Sequence, residues 1–305
     1  MLKFFARRLL LAALVMLTVL TISFALTRLS GDLAISIAGP EATQQDVDII
    51  RKSYGLDRPL VVQFASWVVD AAQGDLGRSF MYHEQASKLI GDRLPVTLRL
   101  GLGGLLVALV ISLPLGIWAA MREGGPVDRA IMLVAVVGQA MPTFWLGLLL
   151  IIVFGLKLGW LPVSGADTWR GFVLPCFVLG FSAVPSLMRL TRSGMVDALA
   201  SDYIRTARAK GLSRGVVVLK HALRNAAMPV VSISAVQLGF MLSGSVVIES
   251  VFALPGVGYL GWESITKSDF PVVQAVVLFL AVIFILLTLL ADMMNALLDP
   301  RLRAS

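Results

Sequence analysis

Charge is scarce in this sequence. Only 15% of its 305 residues are Asp, Glu, Lys or Arg, whereas 57% are hydrophobic, and the mean hydropathy is +0.85. A soluble domain carries about 25% charged residues. Because a chain with so few charges lacks the polar surface to dissolve, the composition excludes a soluble protein. It predicts an all-α protein that crosses a membrane several times.

Residue types that catalysis and metal binding require are also sparse. Cys176 is the only cysteine, so no intrachain disulfide can form, and His83 and His221 lie far apart without a cluster of metal-ligand spacing. No G-x-x-x-x-G-K-[ST] motif is present, and the nearest look-alike, Gly239–Ser245, lacks the phosphate-binding lysine. We therefore expect that this chain is not an enzyme and holds neither ATP, another cofactor nor a metal.

Six apolar segments have about the 20 residues that a bilayer requires. The first follows Lys3, Arg7 and Arg8, but its apolar run is too long for a secretory signal, so an uncleaved anchor is predicted. The fourth is the weakest because Pro175 and Pro185 interrupt it. The predicted spans are Leu9–Thr27, Thr97–Met121, Ala130–Leu156, Phe172–Leu190, Pro229–Phe252 and Val272–Leu298.

The cations predict the orientation of these spans. Lys and Arg cluster before the first span, between the second and third, between the fourth and fifth, and after the sixth. Since basic residues mark cytoplasmic loops, both termini should be cytoplasmic, and the net charge of +7 indicates topology rather than nucleic-acid binding. The predicted units are a 1–30 anchor, a 31–95 extracytoplasmic loop, a 96–298 core that contains a coupling loop at 195–225, and a 299–305 tail.

The extracytoplasmic loop is predicted to contain two helices. Thr43 should cap a helix that runs through Ser53 and stops at Gly55. Asp57 should cap the next helix, with Pro59 in its first turn. We expect this unit to pack against the outer ends of the spans. The face of the second helix that would do so comprises Leu60, Phe64, Trp67, Val68 and Ala71.

The stretch SDYIRTARAKGLSRG, Ser201–Gly215, is a charged segment between two apolar ones. Its pattern predicts a helix over Asp202–Lys210 that ends at Gly211. Ser213 should cap a second helix that runs through Val216–Leu223, and Pro229 should then open the fifth span. The result would be a short helix–turn–helix on the cytoplasmic face.

Two interpretations of this stretch stay open on the residues alone. A solvated basic loop would only set topology. A docking surface is favoured by the small residues Ala207, Ala209 and Gly211, which form a patch that a groove of another protein could approach closely.

The same stretch resembles the cytoplasmic loop of permease subunits of ABC importers. Against the general signature E-A-A-x3-G-x9-I-x-L-P, Ala207 and Gly211 are in register. The departures from it are Arg205, Thr206, His221 and Arg224. The dipeptide/oligopeptide group itself is similar to "DYIRTARAKGLS" and "KHALRNAAMPV". Its likeness extends along the chain through "YGLDRPL", "GDLGRSF", "MPTFWLG", "GWLPVSG", "VIESVFALPGVG" and "DPR".

This resemblance implies a multi-subunit importer of the bacterial inner membrane with a type I importer permease fold. Its parts would be a second similar permease, two cytoplasmic ATPases that hold ATP and Mg²⁺, and an extracytoplasmic substrate-binding protein. The cargo would be a dipeptide, an oligopeptide, glutathione, an opine or a nickel complex, and "AGPEA" and "LGWLPVSGADTW" resemble glutathione-type members most. ATPase coupling would fall to Asp202, Tyr203, Arg205, Ala207, Arg208, Ala209, Lys210, Gly211 and Leu212.

A stand-alone secondary transporter or channel is the alternative. It would need coupling-ion carboxylates at the midplane and internal repeats, and neither is evident in the sequence. Polar residues within spans are costly, so each either lines a translocation path or bonds to a neighbouring helix. Glu249 could pair with Arg93, Arg99 or the second permease, or meet a substrate amine. The candidates for the path are Gln139, Gln237, Ser243, Ser245 and Glu249.

Overall fold

A computed structural model describes residues 2–29, 31–39 and 41–298, and its regular secondary structure is helical. The α-helices are α1 Leu2–Leu29, α2 Leu33–Ala38, α3 Gln44–Ser53, α4 Leu60–Ala72, α5 Ala86–Met121, α6 Pro126–Ala140, α7 Thr143–Leu150, α8 Val173–Ala200, α9 Asp202–Ala209, α10 Arg214–Val216, α11 Leu223–Val251, α12 Val257–Thr266 and α13 Phe270–Leu298. Two π-helical stretches, Ile151–Lys157 and Val217–Ala222, and one 3₁₀ turn, Trp169–Phe172, join them.

Each of the six predicted apolar segments coincides with helix, but the third is not one straight span. Five helical runs in the described residues are long and apolar enough to cross a membrane, and the count reaches six if α6 and the α7 run form one broken span. The two parts of that span meet at an angle of 97°. Pro142 causes the break, because a residue before proline is driven out of helical geometry and Met141 has ψ 124°.

The fifth span begins earlier than predicted. Helical structure is continuous over Arg214–Val251, so the predicted second helix of the cytoplasmic loop is the start of the span itself. Pro229 lies inside α11 instead of opening it. A membrane helix tolerates such a proline where its neighbours and local π turns satisfy the backbone. Pro185 likewise lies within an unbroken α8, the span that appeared weakest.

The membrane core is built on the close approach of α5 and α8. A Cβ atom placed on Gly180 would lie 2.3 Å from the carbonyl oxygen of Gly104, and one on Gly116 would lie 2.8 Å from that of Met188. Small residues thus let the two backbones touch, which is how helices associate in lipid. α11 packs against both helices and against α13, whereas α1 contacts the bundle mainly through α13.

The outer subdomain, α2–α4, confirms part of the predicted pattern. Thr43 and Asp46 form a reciprocal capping box at the start of α3, and Gly55 follows its end with φ +62°. Asp57, however, does not cap α4, whose N-cap is Pro59. The reason is local: Leu56 and Asp57 continue the turn that closes α3, and the side-chain amide of Gln63 donates to the carbonyl of Leu56 instead.

The subdomain packs on the outer ends of the spans, as expected. The half-buried face of α4 includes four of the five predicted residues, while Leu60 is exposed. Its aromatic rings contact Phe24 of α1, with ring centroids 5.3 Å away for Phe64 and 6.1 Å for Trp67. Further on, the buried carboxyl group of Asp269 accepts hydrogen bonds from the hydroxyl of Ser79 and the backbone of Phe80.

Candidate functional site

The candidate site is α9, the short helix of the charged cytoplasmic stretch. α8 ends at Ala200, and Ser201 takes an extended conformation (ψ 155°) that turns the chain into α9. The backbone carbonyl of Ser201 accepts hydrogen bonds from the amides of Ile204 and Arg205, at 3.2 Å each. α9 therefore starts a new direction directly after the fourth span.

The inner face of α9 is anchored in the protein. Ile204 is fully buried and Ala207 is 6% exposed. Both belong to an apolar cluster, called here the anchor cluster, that joins α9 to the end of α8, the start of the fifth span and the end of α5. Its other buried members are Ala120, Met195, Ala198, Val217, Val218, Ala222 and Ala226. A displacement of α9 must consequently move these ends of α8 and the fifth span.

Ala207 does not belong to the outward-facing patch that the sequence suggested. It lies at i+3 from Ile204, so both side chains point to the same side of the helix, and tertiary packing directs that side inward. Ala209 and Gly211 are exposed as expected.

The outer face of α9 is charged and open. Its exposed residues are Asp202, Tyr203, Arg205, Thr206, Arg208, Ala209 and Lys210. Asp202 and Arg205 form an ion pair at 3.4 Å, with side chains 91% and 82% exposed, and such a pair contributes little to stability. The side-chain amide of Asn225 donates to the hydroxyl of Tyr203 at 2.9 Å. This contact links the outer face to α11.

Gly211 ends α9 with φ +75°. Its amide donates to the carbonyl of Arg208 at 3.0 Å, and the amide of Leu212 donates to that of Ala207 at 3.4 Å, so these carbonyls are satisfied. No atom lies within 4 Å of where a Cβ would stand. Glycine is therefore required for its backbone conformation and not for space.

The polar residues predicted for a path separate into two groups. Gln139 is exposed and accepts from Arg189 at 3.0 Å, Gln237 is half-buried and donates to Ser186 at 2.7 Å, and Ser243 is half-buried. Ser245 and Glu249, in contrast, are fully buried.

Glu249 bonds within this chain. Its carboxyl group accepts hydrogen bonds from the hydroxyls of Thr97 (2.8 Å) and Ser245 (2.9 Å) and from the backbone of Tyr259 (2.7 Å). Thr97 also accepts from the amide of Val257 at 2.8 Å. Arg93 and Arg99, two of the partners that the sequence left open, are not the ones that Glu249 bonds to here, because Glu249 and Thr97 satisfy the free amides that open α12. Thr97 carried no sequence signal for this role.

A second polar contact was missed by sequence reasoning. Arg192 of α8 donates two hydrogen bonds of 2.6 Å to the carboxylate of Asp128, which also accepts from the amide of Gly124 at 2.9 Å. The forked geometry ties the turn between α5 and α6 to the fourth span, near the anchor cluster. No group of three or more His, Cys, Asp or Glu side chains could hold a metal within 2–29, 31–39 and 41–298.

Comparison with known protein families resolves the alternatives. Residues 112–304 match the binding-protein-dependent transport system inner membrane component, and residues 1–101 match the N-terminal part of the same membrane component. The chain belongs to this family. It is the multi-pass inner-membrane permease subunit of an ABC importer, which hydrolyses no ATP and requires no cofactor of its own.

Named relatives and solved structures agree with this family. The permease is 44% identical over 275 residues, 90% of each chain, to the glutathione transport system permease protein GsiC of Escherichia coli and of Salmonella typhi. In fold it resembles a chain of the MetNI methionine ABC transporter in an inward-facing conformation, with a TM-score of 0.59 at 19% identity over 69% of the permease and 96% of that chain. An amino acid ABC transporter matches with a TM-score of 0.51 at 18% identity, over 70% of the permease and 94% of that chain.

Membership of this family implies partner proteins for the permease. A binding-protein-dependent importer implies an ATPase and a substrate-binding protein as partners. The permease contributes the transmembrane part. The stand-alone transporter is excluded by this membership.

Proposed function

We propose that the permease transports a small peptide of the dipeptide, oligopeptide or glutathione class. The observation that carries this proposal is the 44% identity, over 90% of both chains, to permeases named for glutathione transport. The peptide-group sequence around α9 agrees with it. The spans contain few polar residues, and a weakly polar path would suit such a cargo.

The proposed assembly pairs the permease with a second, similar permease above two cytoplasmic ATPases. α9 and its flanks, Asp202–Leu212, are the proposed contact with one ATPase. The support is geometric: the outer face of α9 is charged and solvent-accessible, while the inner face is held in the anchor cluster.

The same geometry suggests how ATP hydrolysis drives transport. Closure of the ATPase pair displaces α9, and α9 cannot move without the ends of α8 and the fifth span. At that point the two spans approach closely, since a Cβ on Gly194 would lie 3.1 Å from the carbonyl oxygen of Ala226. Coupled tilting of these helices gives alternating access by rigid-body motion.

The translocation path is proposed along Gln139, Gln237 and Ser243. These side chains are at least partly accessible, and the hydrogen bonds of Gln139 and Gln237 are to single neighbours that a cargo could replace. Ser245 and Glu249 support the outer end of the bundle in this conformation rather than contact cargo.

Uptake by the reconstituted importer tests the proposal. The permease, its partner permease, the ATPases and the binding protein are placed in vesicles with labelled glutathione, a labelled dipeptide or labelled nickel. We expect ATP-dependent uptake of a peptide cargo and none with the permease alone. Uptake of nickel but of neither peptide would overturn the cargo class, whereas ATP-independent uptake by the permease alone would overturn the coupling.

A further inference from the structure

Two connected recesses lie at the cytoplasmic ends of α5 and the fifth span. The first is a cavity of about 790 Å³ between the α5–α6 turn and the α9–α10 turn. The second is a groove of about 460 Å³ between α5 and the π-helical start of the fifth span. Both are lined by Met121, Arg122, Arg214 and Val218, so they form one continuous recess.

The cavity is positively charged. Arg122, Arg208 and Arg214 line it against a single acid, Glu123. Arg122 and Arg214 are exposed, and within the described residues neither forms an ion pair. Two guanidinium groups that line one recess without an ion-pair partner favour an anion with several oxygens, such as a phosphate group.

Apart from Arg122 and Arg214, the groove is lined by apolar side chains and Gly215. Trp118 lies one turn before Arg122 on the same face of α5 and is 49% exposed, and Leu219 across the groove is 63% exposed. Tryptophan is enriched where a helix passes from lipid to water. The groove therefore presents an apolar surface that could contact an acyl chain, next to the arginines that could bind a phosphate group.

We propose that this recess binds an anionic phospholipid of the cytoplasmic leaflet. Its phosphate group is held by Arg122 and Arg214, and one acyl chain lies against Trp118 and Leu219. Basic recesses between membrane helices on the cytoplasmic side are suited to anionic headgroups. A lipid bound in this recess contacts both the α5–α6 turn and the start of the fifth span. It would therefore stabilise the packing of the anchor cluster, whose residues Ala120, Val217 and Val218 line the recess.

Lipid retention by the purified full chain tests the proposal. Native mass spectrometry counts phosphatidylglycerol and phosphatidylcholine of identical acyl chains on the chain in detergent. We expect Arg122→Gln and Arg214→Gln each to lower phosphatidylglycerol retention roughly fivefold and to leave phosphatidylcholine unchanged. Trp118→Ala should lower the retention of both lipids.

The matched control is Arg129→Gln, which removes an exposed cation from the first turn of α6, seven residues from Arg122, but does not line the recess. Equal losses in Arg129→Gln and Arg122→Gln would overturn the proposal, since attraction would then be diffuse. No preference for phosphatidylglycerol over phosphatidylcholine would also overturn it, and displacement of the lipid by inorganic phosphate would assign the site to a free anion.

A photoreactive side chain at position 118 separates lipid from protein occupants. In cells that contain the complete importer, the expected adduct is a phospholipid. An adduct with a second permease subunit would show that the groove is a subunit interface and would sink the lipid assignment. This test does not depend on which cargo the importer carries.

Discussion

At the residue scale, the conformations of single residues carry much of the candidate site. Gly211 ends α9 at φ +75°, and the space beside its Cα atom is empty. A side chain would fit there, but residues other than glycine rarely adopt this backbone conformation. Ala207 has the opposite constraint, because it is buried in the anchor cluster. Glu249 is constrained by three hydrogen-bond donors.

Gly211→Val should reduce transport because a β-branched residue resists a positive φ. The left-handed conformation costs about 1–2 kcal/mol for a non-glycine residue, enough to reshape the end of α9. Membrane insertion should persist, while cargo uptake and co-purification of the ATPase fall. Gly211→Asn is the control, since asparagine tolerates this region, and it should retain most activity. Equal activity of both variants would contradict the role of this turn.

Glu249→Gln should destabilise the outer end of the bundle. The amide replaces one acceptor oxygen by a donor, which leaves an unmatched hydrogen bond at a fully buried position, at a cost of about 1–3 kcal/mol. Thermal unfolding in detergent should shift to lower temperature. Ser243 lies on the same helix, and its side chain forms no hydrogen bond with the residues that the structure describes, so Ser243→Ala should leave the unfolding temperature unchanged. A stable Glu249→Gln permease with altered cargo selection would restore the path role.

At the element scale, α9 separates a packing face from a contact face. The anchor cluster connects the inner face to two spans, and the outer face carries charge. Substitutions on the inner face should therefore reduce stability, whereas substitutions on the outer face should reduce binding of the ATPase.

Arg205→Glu should weaken ATPase association without loss of stability, since its side chain is 82% exposed. Ile204→Ala should instead lower stability by about 2–5 kcal/mol, because it opens a cavity in the anchor cluster. Co-purification of the ATPase and thermal unfolding of the permease, measured on both variants, check this separation. Unimpaired co-purification with Arg205→Glu would assign the contact elsewhere.

α12 should loosen in acid. Burial raises the pKa of Glu263, but hydrogen bonds from Tyr82 (2.6 Å) and Lys267 (2.9 Å) outweigh burial and hold that pKa below its ordinary 4.5. A lowered folded pKa means that the contribution is present above 4.5 and is lost as the pH falls through the folded value. The protection of the α12 amides against hydrogen exchange, relative to their intrinsic exchange rate at each pH, should fall there, and Glu263→Gln should remove most of this pH dependence. An unchanged profile in that variant would assign the loosening to another group.

At the scale of the whole molecule, orientation in the membrane follows from the distribution of cations. The outer subdomain and α9 lie at opposite ends of the bundle in this arrangement. Topology is therefore measurable with two reporters.

Single cysteines at Gln44 and Ser213, in a chain without Cys176, should react with a membrane-impermeant thiol reagent from opposite sides. Both positions are exposed, so access rather than burial determines the reaction. Cys176 is buried, and its removal is the background control. Reaction of both cysteines from one side would refute the six-span orientation.

The sequence by itself determined the class and the turn chemistry of this permease, and it predicts the orientation. Scarce charge and apolar segments of membrane length are properties of local composition, and the clustered cations act over short loops. The capping box at Thr43 and the glycine turn at Gly211 are also local, because they depend on a few adjacent residues. The predicted end of the Thr97–Met121 span was likewise correct, although α5 begins earlier, at Ala86.

Only the tertiary structure decided which faces are buried and which distant groups meet. Ala207 faces inward because the adjoining ends of α8 and the fifth span pack against it. Glu249 accepts a hydrogen bond from Thr97, 152 residues away in the sequence. The broken third span and the continuous helix through Pro229 depend likewise on neighbours that compensate the backbone. Helical periodicity tells which residues share a face, but the packing of the bundle selects the face that is covered.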